Sequence, residues 1–314
     1  MLKSCRGLLV FFCACFLIPT YRLAAQTIFY GGGSFISNVN ADGSGHQSLV
    51  NTSAMLYITL DRTASQMYWA DTNTLRRANY DGSGQQDILV TTGQAEGLQV
   101  DHAADRMYWS ERITDRIQRA NLDGSNQVTL IPNVREPRGL RIDPINHYIY
   151  WVEFQSEKLR RANLDGSGVT DIITSGMTRP FDLALDIVHQ TLYWAQLGSD
   201  PNNQTTGAIY RANLDGSGIL PIATGLTQTA GVDVDPFGGK VYWIDGFTDT
   251  IQRAGLDGSN RQIVTKTPES IPQHLVLDVN AIPEPHSLAV FCCATLLLAR
   301  RRFGGPSRLV TRGF

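Results

Sequence analysis

The side chains best suited to meet a ligand are Tyr57, Glu96, Arg138, Asp182 and His274. They offer two carboxylates, a guanidinium, an imidazole and a phenol, a set fitted to ion pairing and hydrogen bonding with a protein, peptide or glycan. They emerge when six short apolar-alternating segments are aligned on the aspartates that close them: Asp61, Asp101, Asp143, Asp186, Asp235 and Asp278. One and three residues before each aspartate the side chain is apolar in every segment. Four and five residues before, the segments diverge: Tyr57 and Leu56, Gly97 and Glu96, Gly139 and Arg138, Asp182 and Phe181, Gly231 and Ala230, His274 and Gln273. A position that differs between repeats is released from the repeat's shared structural duty. These two positions are therefore expected to ring one mouth of a central channel.

Two other recurrent groups invite chemistry. Asp-Gly-Ser occurs at Asp42, Asp81, Asp123, Asp165, Asp215 and Asp257, at intervals of 39, 42, 42, 50 and 42 residues. A calcium loop of this kind needs an oxygen ligand four residues before the aspartate. Arginine stands there in five repeats (Arg77, Arg119, Arg161, Arg211, Arg253) and Asn38 in the other, so the triplets read as hairpin turns. The five arginines read as a structural girdle, hydrogen-bonded or paired with the acidic residues that follow the recurrent Tyr-Trp pairs. Those pairs are Tyr68-Trp69, Tyr108-Trp109, Tyr150-Trp151, Tyr193-Trp194 and Tyr242-Trp243, which read as wedge packing rather than ligand contact.

The elements that must position these residues follow from the repeat. Each unit of about 42 residues carries four short strand signals and no amphipathic helix, the pattern of a propeller blade. Five units are complete and the sixth is split: Gln273–Asp278 repeats only the first strand, Ile28–Val50 only the other three. Joining the two closes the sheet ring and leaves no open edge. The expected fold is all-β, a six-bladed β-propeller with split-blade closure, spanning residues 26–281.

Runs such as Met107-Tyr108-Trp109-Ser110-Glu111 and Arg119-Ala120-Asn121-Leu122-Asp123-Gly124-Ser125 resemble the YWTD repeats of the low-density lipoprotein receptor family. The resemblance covers residues 27 to about 280 and implies a non-enzymatic module that takes its ligand at the channel mouth. The fourth position varies, being Asp71, Glu111, Glu153, Gln196 and Asp245, and Phe29-Tyr30 stands in place of Tyr-Trp. The alternative is a metal-dependent propeller enzyme of lactonase or lyase type, with Glu96, Asp182 and Asp233 as oxygen ligands. Arg138, Arg141 and His274 interleave with those acids, and the two arginines would compete with a metal. No Ser-His-Asp order or metal-spaced His pair accompanies them. The expectation is binding, with no catalytic residue, metal or cofactor.

The ends carry address signals. Lys3 and Arg6, the apolar stretch Leu8–Ile18 and Leu23-Ala24-Ala25 read as a signal peptide over residues 1–25. Residues 282–314 hold Pro283-Glu284-Pro285, the apolar run Ser287–Ala299 and Arg300-Arg301-Arg302. This layout resembles the PEP-CTERM sorting signal of bacteria, which implies membrane contact through 287–299, removal by an exosortase-type enzyme, and delivery to the envelope or extracellular matrix. Phe303–Phe314 extend past the usual end of such a signal. All five cysteines lie in these two segments, so the propeller needs no disulfide. A net charge of −2 gives no footprint for nucleic acid.

Overall fold

Alternation of apolar and polar residues over five to seven positions, punctuated by Asp-Gly turns, produces strands and nothing else. The computed structural model describes residues 27–198, 206–269 and 272–279, and every regular element among them is a β-strand. The signal-peptide and sorting segments lie outside the described residues.

Five blades follow the chain. Blade 2, for example, is Ala95–Asp101, Arg106–Glu111, Arg116–Ala120 and Val128–Pro132, paired antiparallel in that order. Blades 3, 4 and 5 repeat it, opening with Pro137–Asp143, Pro180–Asp186 and Thr229–Asp235. The split blade also forms. Thr27 pairs with Asp278, Ile28 with Leu277 and Gly31 with His274, so the last described strand, His274–Asp278, completes the first sheet. Within Thr27–Asn40 the chain doubles back: a Cβ on Gly31 would lie 2.5 Å from the carbonyl oxygen of Phe35, four residues on. The next strand, Gln47–Asp61, serves two blades. Its first half pairs with Phe35–Asn38 and its second with Gln66–Asp71, which fuses blades 6 and 1 into one six-stranded sheet. The six innermost strands contact one another in a closed ring, from Gln47–Asp61 round to His274–Asp278.

The Tyr-Trp pairs fill the wedges. Adjacent strand residues point to opposite faces, so each pair serves two interfaces. Tyr108 of blade 2 joins the cluster of Trp151 in blade 3, and Tyr150 of blade 3 joins that of Trp194 in blade 4. Phe29-Tyr30 does the same across the seam, Tyr30 packing with Tyr242 and Phe29 with Trp69. All five tryptophans are fully buried.

The Asp-Gly-Ser turns lock neighbouring blades. In Asp215-Gly216-Ser217 one aspartate oxygen accepts from the backbone N–H (2.9 Å) and hydroxyl (2.6 Å) of Ser217. Gly216 has φ +85°, and a Cβ there would lie 2.2 Å from the Ile172 carbonyl oxygen of the preceding blade. Glycine is thus required twice, by the turn and by the approach. The girdle arginines support this seam, though with partners other than those expected. Arg211 donates to the Leu256 carbonyl (3.1 Å) and Arg253 to that of Ala41 (2.9 Å), in each case the residue before the next blade's turn aspartate. The acids after Trp pair instead with a different set of third-strand arginines, Arg76, Arg116 and Arg160.

Candidate functional site

The inner strands begin at one end of the channel, here the upper end, and finish at the closing aspartates below. The structure separates the two divergent positions that the sequence groups together. Five residues before the closing aspartate, Glu96, Arg138, Phe181, Ala230 and Gln273 all line a single upper cavity of about 290 Å³. Four residues before, Tyr57, Asp182 and His274 do not stand on the rim. They are 3%, 0% and 1% exposed and fill the channel beneath the cavity.

The cause of this difference in depth is local. In blades 2, 3 and 5 the inner position is glycine, which lets the next inner strand close in. A Cβ on Gly139 would lie 2.4 Å from Asp182 Oδ1 and 2.6 Å from its Cα. The space so released is taken by the three side chains from blades 1, 4 and 6. Tyr57 donates from its hydroxyl to Asp182 Oδ1 across the channel at 3.1 Å, and its ring lies over His274 with centroids 3.6 Å apart. Only the edge of Tyr57 reaches the cavity, as part of its floor.

Asp182 organises this plug. His274 Nε2 lies 3.0 Å from Asp182 Oδ2, Arg141 Nη1 lies 3.4 Å from Oδ1, and the Val232 N–H donates to Oδ2 at 3.0 Å. Burial alone would raise the Asp182 carboxyl, but Arg141 and His274 outweigh it and hold the group below the usual carboxylate range. Burial pushes the His274 imidazole below its ordinary value despite the pull of Asp182. The neutral ring accepts at Nδ1 from the Ile58 N–H (3.5 Å) and turns its Nε2 proton toward Asp182. Arg141 also donates to the carbonyls of Leu140 and Val232. The floor is sealed by matched charges.

The rim above it is charged on one side and apolar on the other. Glu96 takes Arg138 (2.9 Å) and Arg112 (2.9 Å), and Glu136 takes Arg138 at 3.0 Å. Arg138 lies over the ring of Phe154 at 4.2 Å and that of Phe181 at 5.1 Å, an aromatic seating that fixes its plane. Burial raises the Glu96 carboxyl, with the two arginines pulling the other way. Phe181, Leu197, Ala230 and Pro272 form the apolar wall, and Gln94, Gln228 and Gln273 add amides. Arg112, Glu136 and Phe154 lie outside the inner strands and so escape alignment on the closing aspartates. Arg112 and Phe154 each directly follow the acid after a Tyr-Trp pair, and that shared place was a readable signal.

The three carboxylates of the metal reading do not converge. Glu96 lines the upper cavity, Asp182 is inside the plug, and Asp233 lines a separate chamber below it.

Comparison with known proteins agrees with this geometry. The model of the low-density lipoprotein receptor repeat class B matches residues 105–144 and 239–292. The chain is a six-bladed β-propeller, and the class B repeat model matches two stretches of it. A protein named low-density lipoprotein receptor-related protein 1 from Pyricularia oryzae is 29% identical over 252 residues, covering 72% of this chain and 71% of that one. Protein cueball of Drosophila grimshawi is 29% identical over 108 residues, which span 33% of this chain but only 17% of cueball. Among solved structures, a chain from the crystal structure of a nidogen/laminin complex superposes with a TM-score of 0.71 at 18% identity, over 80% of this chain and 98% of that one. The last likeness concerns the fold alone.

Proposed function

We propose that this class B propeller is an exported, non-enzymatic binding module of a bacterial envelope or extracellular matrix, which engages a protein segment at the upper mouth. The observation that carries the reading is the convergence of the divergent residues Glu96, Arg138, Phe181, Ala230 and Gln273 on one cavity above a sealed floor. A cavity of about 290 Å³ sits at the low end for small-molecule sites and suits one protruding side chain of a larger partner. The apolar wall would bury that side chain, while the Glu96–Arg138–Glu136 cluster and the glutamine amides would meet the polar backbone around it. The names of the relatives, a receptor-related protein and a partner in a nidogen/laminin complex, point the same way. Export by the leader and processing of the PEP-CTERM-like segment belong to the same proposal.

The test is site-specific photo-crosslinking in the producing cell. A photoreactive residue at Phe181 is expected to give one discrete adduct that Arg138→Glu removes. The same residue at Val90, on an outer strand and 74% exposed, should give none. Equal adducts from both sites, or an adduct insensitive to Arg138→Glu, would overturn the reading.

A further inference from the structure

The opposite end of the channel holds a second chamber of about 320 Å³ that shares no side chain with the upper cavity. Its wall comes from the position two residues before the closing aspartate, which places Thr59, Gln99, Arg141, Asp233 and Val276 in the lower channel. Two of these are charged, and their situations differ. Arg141 is already committed to Asp182 and to two carbonyls. Asp233 is half-buried, accepts one hydrogen bond from the Leu277 N–H at 2.9 Å, and among the described residues forms no ion pair. The cation at the rim, Arg62, is engaged with Asp278 (3.7 Å) and the Leu277 carbonyl. Among the described residues Asp233 is therefore the charged group of the lower mouth that is left without an ion-pair partner.

Its collar is apolar on one side. The second residue after the closing aspartate is Ile145, Val188 and Phe237 in blades 3, 4 and 5, and these are 55%, 49% and 49% exposed. Blades 1 and 2 put Thr63 and Ala103 there. The three side chains are held out by rigid turns. Asp143 and Asp235 accept from the backbone N–H of Ile145 and Phe237 at 3.1 Å each, and Asp186 accepts from that of His189 at 2.8 Å. Large apolar side chains fixed toward water in adjacent blades, beside a half-buried unpaired carboxylate, ask for a ligand with a cation and an apolar flank.

We infer that the lower chamber is a second protein-docking site, which takes a lysine or arginine side chain of a partner onto Asp233 while flanking apolar residues cover Val188 and Phe237. The geometry offers one carboxylate oxygen free for a charge-assisted hydrogen bond, in a place where loss of water strengthens it. The inference does not depend on what the upper mouth binds.

Calorimetric titration of the full chain with acetyl-Leu-Lys-Leu-amide tests it. Saturable binding is expected, weakened about tenfold by Asp233→Asn, weakened also by Phe237→Ser, and unaffected by Glu96→Gln. Asparagine can still accept from Leu277, so Asp233→Asn spares the fold, which an unchanged melting temperature would verify. The analogue acetyl-Leu-Gln-Leu-amide should bind far less well. No saturable binding, equal affinity in Asp233→Asn, or an equal loss in Glu96→Gln would overturn the proposal. So would n-butylammonium binding as tightly as the peptide, because the collar would then contribute nothing.

Discussion

The shell of this propeller and its axis obey opposite rules. In the shell one solution is repeated in blade after blade: an aromatic pair in each wedge and a glycine turn pressed on the preceding blade. Along the axis no two blades contribute the same set, and glycines in three blades make room for Tyr57, Asp182 and His274 from the other three. The difference teaches where to look for function. Shell residues serve the ring, the inner axial position serves channel closure, and the two ends of the axis remain to meet ligands.

The largest effect should come from breaking the ring itself. Deleting His274–Asp278 removes the partner of Thr27–Gly31 and the His274 member of the plug, and exposes a sheet edge. Loss of the cooperative thermal transition is expected by circular dichroism, and an unchanged melt would contradict split-blade closure.

Next comes the contrast along the axis. Asp182→Asn leaves Arg141 without its anion inside the channel and should cost roughly 3–5 kcal/mol in denaturant unfolding. Glu96→Gln, one step higher, keeps its acceptor oxygen and should cost about 1 kcal/mol or less. Equal costs would erase the distinction between plug and mouth.

The shell lock is a smaller target. Gly216→Ala forces a Cβ onto the Ile172 carbonyl at a positive φ, and about 1–3 kcal/mol of destabilisation is expected from the same unfolding curves.

A pH dependence also belongs to the shell. Burial favours the neutral form of Glu111, but hydrogen bonds from Thr114, Arg116 and Trp109 outweigh it and lower the pKa from 4.5 to about 2. A depressed folded-state pKa stabilises above the unfolded value, so this contribution is complete above about pH 4.5 and is lost as pH falls toward about 2. Glu111→Gln should flatten that part of the stability profile.

The sequence made the shell legible because its repeats obey two short-range rules, strand alternation and Asp-Gly turn chemistry, six times over. Blade count and the split seam followed from the unmatched segments at Gln273–Asp278 and Ile28–Val50. The axis was legible only in part. Alignment on the closing aspartates found the right strands and two divergent positions, but not the step in depth between them. That step depends on Gly139 and its counterparts admitting the neighbouring strand, a contact between residues about 40 apart in sequence that no local pattern reports. The seating of Arg138 between Phe154 and Phe181 was hidden for the same reason, since the three come from different strands or blades.

Thiol labelling probes the division of the axis most directly. With the five natural cysteines changed to serine, single cysteines at Phe181 or Gln273 should react with a maleimide at close to the rate of an open thiol. Cysteines at Asp182 or His274, one residue further along the same strands, should react only as fast as the protein unfolds. Comparable rates at neighbouring positions would mean that mouth and plug are not distinct, and the proposed site would lose its basis.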